Sequence, residues 1–400
     1  MSALQESGIQ ASSTQDEGQA LMEAVERGDE REVERLGKAG SAALAWRDAR
    51  GRTPLMAATL ANRIAIALRL IEAGSDVNAR DHTQLTPYLC AGANGYDEIF
   101  HATLGAGADL RSVNRFGGTA LLPSSEKGYL HTVQMCLDAG VAVNHVNALG
   151  WSALQEAVIL GDGGRRFADV VATLVAAGAD IHVPDRAGLS ASMHAQALGQ
   201  SRVIRIFGAA PQAAAQGPID RVRASMRRSA YASALAMLAA APAQEVDPID
   251  LHYYCGNLLD ELGHGDDAIN EYRRGFELDR TAPEFLVYIA QCLRRLGRAD
   301  KALQQYDDAI TLQPTQIFAR YQKSNYLREL NRHPQAVAEM DALLALQPGR
   351  CDYWFHKANS LRALGRHDEA IAAIEQAIAL DPTNPLFSGH RDQSRQLLQA

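Results

Sequence analysis

Four hundred residues exceed what one compact core holds, so the chain divides into two or three domains or forms an extended repeat array. A hydrophobic content of 47% with 22% charged residues excludes a wholly disordered chain. The formal charge of −8 argues against nucleic acid as a partner, because neutralising phosphates needs a basic surface. Five scattered cysteines (Cys90, Cys136, Cys255, Cys292 and Cys351) never pair as CxxC, which fits reduced thiols in a cytoplasm better than a secreted disulfide framework. No run approaches eighteen apolar residues without a charge, so no membrane-spanning segment is expected.

In chain order, residues 1–18 are rich in Ser, Gln and acidic residues without an apolar stretch, and are expected to be a disordered tail and not a signal peptide. Then a fixed period takes over. Thr53-Pro54-Leu55, Thr86-Pro87-Tyr88, Thr119-Ala120-Leu121 and Ser152-Ala153-Leu154 start 33 residues apart, and Gly74, Gly107 and Gly140 keep the same step. The next markers, Gly178 and Ser190, arrive after 38. Five residues are therefore inserted, and the glycine-rich run Gly161–Arg166 is expected to hold them as a surface loop. Within each unit Thr or Ser opens a short helix as its N-cap, Pro suits the first turn, and small residues such as Ala57-Ala58 or Ala91-Gly92 permit close packing. A glycine ends that helix, a second apolar helix follows, and a turn-forming segment such as residues 76–81 projects as a hairpin.

Beyond a linker-like stretch, residues 209–218, the period becomes 34. Ala268, Ala302, Ala336 and Ala370 keep it, as do Pro314, Pro348 and Pro382. Gly256, Ala290, Ser324 and Ala358 supply a small residue in each first helix. Gly263, Gly297 and Gly365, with Asn331 in the remaining slot, mark the turns. Residues 219–240 suggest a decayed extra helix pair, and residues 386–398 a polar-faced cap.

The 33-residue units resemble the ankyrin repeat over about 19–209, although His is absent from the TPLH position. The 34-residue units resemble the tetratricopeptide repeat (TPR) over about 249–382. The resemblance implies an all-α protein: an ankyrin solenoid with short hairpins, then a TPR helical-hairpin superhelix. The expected division is 1–18 tail, 19–209 ankyrin domain, 210–248 linker with a degenerate pair, and 249–400 TPR domain with a capping helix.

Chemistry is sparse. No phosphate loop, HExxH, GxSxG or kinase-like set occurs. His82, His145 and His182 fall in hairpins at unequal repeat positions and carry no metal spacing, so no metal, cofactor or catalytic residue is expected. Arg221, Arg223, Arg227 and Arg228 form a basic run on an acidic chain, best suited to a solvated or salt-bridging face. In TPR arrays, positions 2, 5, 9 and 12 of the first helices face the groove. Carried over, position 5 holds Tyr253, Val287, Tyr321 and Phe355. Position 9 holds Asn257, Gln291, Asn325 and Asn359; position 12 holds Asp260, Arg294, Arg328 and Arg362. The amides would bind an extended backbone, the aromatics would anchor side chains, and the arginines would form a positive stripe for an acidic segment. Phe318 and Gln322 stand where the chaperone-binding members need basic residues. On the ankyrin side the ligand surface would present Arg80, His82, Arg111, Arg115, Phe116, His145 and Trp151, with Trp151 either exposed or packed on the neighbouring hairpin. The function expected is a non-catalytic cytoplasmic adaptor binding proteins or peptides, with no membrane or nucleic acid. The Arg- and Ala-rich composition suggests a GC-rich bacterial genome. An effector delivered to another cell and an enzyme with an interdomain site are the alternatives.

Overall fold

The computed structural model describes residues 16–38, 40–208, 217–228, 230–315, 317–382 and 385–399. Among them the regular structure is helical, with two isolated antiparallel bridges, Val146 to Ser152 and Pro184 to Ser190. The chain divides into two compact units. Residues 1–157 with 170–191 form the first, and 158–169 with 192–400 the second.

The first unit opens with α1 (16–27) and α2 (Glu30–Gly37), so residues 16–18 belong to a helix and not to a tail. Leu21, Val25, Val33 and Leu36 are buried, as the apolar face of a packed helix pair requires. The rest of the tail, and most of the 209–218 linker, lie outside the described residues. After a short α3 (Ser41–Leu44), helix pairs follow at the repeat step: α4 (Pro54–Leu60) with α5 (Ile64–Glu72), α6 (Pro87–Asn94) with α7 (Asp97–Gly105), and α8 (Leu121–Lys127) with α9 (Leu130–Asp138). The Thr caps form as expected at two of these. Met56 N–H donates to Thr53 Oγ1 at 3.2 Å, and Leu89 N–H to Thr86 Oγ1 at 3.1 Å. Thr119 departs from the pattern. Ala120 follows it where Thr53 and Thr86 have Pro, Leu122 N–H turns back to the Thr119 carbonyl, and the buried Thr119 hydroxyl has no partner among the described residues.

Each hairpin is closed by one Asp or Asn side chain that keeps the repeat step. Asp48, Asp81, Asn114, Asn147 and Asp185 each accept two backbone N–H bonds, from the second and fourth residues on. Neighbouring hairpins are cross-tied. Arg47 donates to the carbonyl of Arg80 at 2.6 Å, and Arg80 donates to that of Val113 at 3.1 Å, 33 residues further on each time.

Helices α10 (Ala153–Ile159), α11 (Arg165–Ala176) and α12 (Ala191–Ala197) cross the division, and α13 (Ser201–Gly208) belongs to the second unit. There α14 (Pro218–Met226) and α15 (Tyr231–Ala239) pack as a pair around Val222, Met226, Ala234 and Leu238, and α15 packs on α16 (Pro248–Glu261). Antiparallel pairs then run through α17 (Gly265–Leu278), α18 (Glu284–Arg295), α19 (Ala299–Leu312), α20 (Ile317–Glu329), α21 (His333–Leu346), α22 (Cys351–Ala363) and α23 (His367–Leu380), with α24 (Pro385–Gln399) against α23. The 34-residue alanines are fully buried at the helix crossings. A Cβ on Gly256 would stand 2.7 Å from the Tyr272 ring, which is why that crossing takes glycine. The turn slot needs a left-handed residue: Gly263, Gly297 and Gly365 have φ of 81°, 69° and 72°, and Asn331 adopts 55°.

Candidate functional site: the first-helix face of the second array

Asp250 and Glu284 occupy position 2 of the first two first helices, 34 residues apart, and Phe318 holds position 2 of the third. These three side chains meet one segment of the same unit. The glycine-rich insertion, expected as a surface loop, is buried here, and α11 starts inside it. Arg165 Nε donates to Asp250 Oδ1, and its Nη1 donates to Glu284 Oε1 at 3.3 Å. Arg166 donates to Gln291 Oε1 of position 9, and its guanidinium lies 4.4 Å from the Tyr288 ring centre. Phe167, with no exposed surface, meets the Phe318 ring edge-on at 5.1 Å. One turn on, Asp169 accepts from the Tyr254 hydroxyl at 2.9 Å and pairs with Arg223 at 2.7 Å. Arg223, from the basic run, also donates to Tyr254 at 2.8 Å.

The segment is held from its other end as well. Gln200 Nε2 donates to the carbonyls of Val158 at 2.8 Å and Gly161 at 3.3 Å, and Gly164 N–H donates to Asp162 Oδ1 at 2.7 Å. Burial, with the nearby Glu284 charge, pushes the Asp162 carboxyl up to about 7, against the pull of the Gly164 N–H and of Arg166 and Arg202. Burial also raises Asp169, more than Arg223 and Tyr254 lower it. Ion pairs removed from water in this way gain little net stability, but deleting one partner costs about 3–5 kcal/mol because the other stays buried and uncompensated.

Further along the face the expected residues divide by role. Tyr253, Tyr321 and Phe355 are buried, so position 5 supplies core packing and not exposed anchors. Tyr253 packs on Tyr254 and Tyr288 at 4.7 and 5.6 Å, Tyr321 on Tyr353 at 5.9 Å, and Phe355 on His390 and Phe387 at 4.8 and 5.6 Å. The physical reason is that consecutive first helices stack through this position. Asn257 is buried as well, whereas Gln291, Asn325 and Asn359 are half-buried and each accepts from an arginine, Arg166, Arg328 and Arg362 in turn.

The arginine row is not uniform either. Arg294 pairs with Glu329 at 2.6 Å. Arg328 instead donates to His356 Nδ1 at 2.9 Å and Asn325 Oδ1 at 3.3 Å. Arg362 repeats the arrangement 34 residues on, with His390 Nδ1 at 2.9 Å, Asn359 at 3.2 Å and Gln393 at 2.6 Å. Neither Arg328 nor Arg362 pairs with a carboxylate among the described residues. Partial burial lowers the Arg362 pKa.

In the first unit the candidate ligand residues are partly structural. Arg80 ties hairpins together, Trp151 is buried, and Phe116 is half-buried under Arg115, whose guanidinium lies 5.0 Å from the ring centre. His145 bonds the carbonyl of Gly117 at 2.7 Å, whereas Arg111 is exposed. Burial raises the thiol pKa values of all five cysteines, opposite to the activation a nucleophile needs. Among the described residues no group of His, Cys, Asp and Glu is gathered to hold a metal ion, and no helix is long and apolar enough to cross a membrane.

Sequence reasoning missed the insertion. Two signals pointed to it: an Arg-Arg-Phe run inside the one departure from the ankyrin period, and two acidic residues at position 2 separated by one TPR step.

Two helical repeat arrays with small-residue crossings thus define a protein built to present surfaces. A family model for ankyrin repeats matches residues 2–81 and 88–185, and one for the tetratricopeptide repeat matches 256–317 and 321–385. Among solved structures, an ankyrin repeat domain from Acinetobacter baumannii AYE is 45% identical, aligning with 47% of this chain and 95% of its own, at a TM-score of 0.46. The ankyrin repeat protein EF0377 is 35% identical, over 47% of this chain and 96% of its own, also at 0.46. No curated protein matches significantly. The chain belongs to the ankyrin-repeat proteins and carries tetratricopeptide repeats in its C-terminal region. Both repeats are general protein–protein interaction modules.

Proposed function

We propose that the protein is a non-catalytic cytoplasmic adaptor, and that the α20–α24 part of its second array takes an acidic segment of a partner protein. One observation carries this reading. Arg328 and Arg362 sit in register, each held by neutral acceptors, so two oriented guanidiniums keep charge that no carboxylate offsets among the described residues. Asn325 and Asn359 stand beside them and have amide groups suited to a peptide backbone. A guanidinium fixed in this way offers its remaining N–H groups as a fork to a carboxylate with little ordering cost. Arg294 contributes less, because Glu329 already neutralises it. The five cysteines are all free, which fits a protein kept in a reducing compartment.

The test is a fluorescence-anisotropy titration of full-length protein with labelled peptides bearing Asp/Glu clusters or a free C-terminal carboxylate, against amidated and Lys-substituted controls. Acidic peptides should bind and weaken with salt. Changing both Arg328 and Arg362 to Glu should weaken binding at least about tenfold, equivalent to about 1.4 kcal/mol. A folded double variant with unchanged affinity would refute the acidic-segment reading.

A further inference from the structure

The α16–α20 part of the face is chemically different from the part just described. Its position-2 row is acidic, acidic, aromatic, and it holds a basic, basic, aromatic ligand: Arg165 on Asp250 and Glu284, Arg166 on Gln291 and Tyr288, and Phe167 on Phe318. We propose that this part of the array is a receptor for a helix start of the form Arg-Arg-Phe-x-Asp, that residues 161–169 are its resident ligand, and that its partner is a protein segment of the same chemistry which displaces them.

Three observations support a receptor rather than simple core packing. The contacts fall on slots spaced by the repeat, Asp250, Glu284 and Phe318 standing 34 residues apart. The ligand side reads them from a single helix start, Arg165 taking both carboxylates and Phe167 the Phe318 ring, with Arg166 between them on Gln291 and Tyr288. Charge complementarity is local, since the one Arg165 guanidinium meets both carboxylates, while Arg166 donates to the neutral Gln291 amide and lies over the Tyr288 ring.

The resident segment is also imperfectly satisfied. Asp162 Oδ2 and Gln200 Oε1 are buried without a hydrogen-bond donor among the described residues. A buried acceptor left unpaired weighs against the docked state, whereas a partner carrying only the Arg-Arg-Phe-x-Asp element would bring no counterpart of Asp162. The covalent link gives the resident segment a high effective concentration, and the unpaired acceptors offset part of that advantage. This inference concerns residues other than Arg328 and Arg362 and stands independently of the acidic-segment reading.

The experiment uses full-length protein and a labelled peptide spanning residues 164–176. In one arm, unlabelled peptide is titrated into the wild-type protein while hydrogen exchange of residues 161–169 is followed by mass spectrometry. Displacement should speed exchange there at least tenfold at saturation and leave α22 and α23 unchanged. In the second arm, changing both Arg165 and Arg166 to Glu should free the face and tighten binding of the labelled peptide at least tenfold over wild type. Adding Glu284→Arg to that variant should abolish the gain. Exchange of 161–169 that stays constant up to millimolar peptide would overturn the proposal. So would a folded variant with a released segment that gains no affinity. If the variant fails to fold, the wild-type displacement arm decides alone.

Discussion

Phe167→Ala is the most informative single change. Phe167 has no exposed surface and meets Phe318 edge-on at 5.1 Å, and Phe318 is itself 1% exposed. Truncating a buried Phe costs about 3–5 kcal/mol as lost transfer energy plus a cavity. The edge-to-face contact accounts for about 0.5–1.5 kcal/mol of that. Phe167→Ala and Phe318→Ala should therefore each cost about 3–5 kcal/mol, and the double variant should cost less than their sum by about 0.5–1.5 kcal/mol. Because a chain of two units need not unfold in one step, the loss is best read by segment-resolved hydrogen exchange under native conditions. Faster exchange should fall on α18, α20 and residues 161–169, while α4–α9 keep their protection. A cost under about 1 kcal/mol with α20 unaffected would refute the placement of Phe167, because a ring outside the core has no cavity to leave.

Other outcomes follow from the same geometry. Thr53→Ala should lower stability by about 1 kcal/mol by removing a working N-cap, whereas Thr119→Ala should be neutral or better because its buried hydroxyl caps nothing; thermal melts of the two variants compare them directly. Gly256→Ala should cost about 1–3 kcal/mol through overpacking on Tyr272, seen as a lowered denaturation midpoint. The Asp162 carboxyl is raised to about 7, so the folded chain keeps a proton that the unfolded chain releases from about pH 4 upward. Its contribution to stability is complete below that range and is lost as pH rises through 7. Asp162→Asn should therefore gain on wild type between pH 5 and pH 8 in urea unfolding, and a gain in the opposite direction would contradict the assignment.

Much of the fold was legible because both arrays repeat the steric demands of one unit. Buried alanines at 34-residue steps, Gly256 at a crossing, and Gly or Asn331 in the left-handed turn slot are each dictated within a repeat. Thr119 shares the cap position of Thr53 and Thr86, yet Leu122 N–H turns back to its carbonyl; a missing Pro alone does not explain this, because Ser152, followed by Ala153, still accepts from Gln155 N–H at 3.3 Å. The site was less legible, for two reasons. Position 5 looked like a row of anchors, since periodicity shows which residues share a face but not how tightly the next helix covers Tyr253, Tyr321 and Phe355. The insertion looked solvent-exposed from its glycines, yet the two arginines and Phe167 that follow find partners 85 or more residues away, a pairing no local pattern encodes.

Arginine footprinting of the unmodified full-length protein tests the central placement most directly. With phenylglyoxal and mass-spectrometric readout, Arg165 and Arg166, 7% and 8% exposed, should resist modification while Arg111, whose side chain is 95% exposed, reacts readily. Modification of Arg165 and Arg166 at the rate of Arg111 would contradict a seated Arg-Arg-Phe segment, and the first half of the face would then be open.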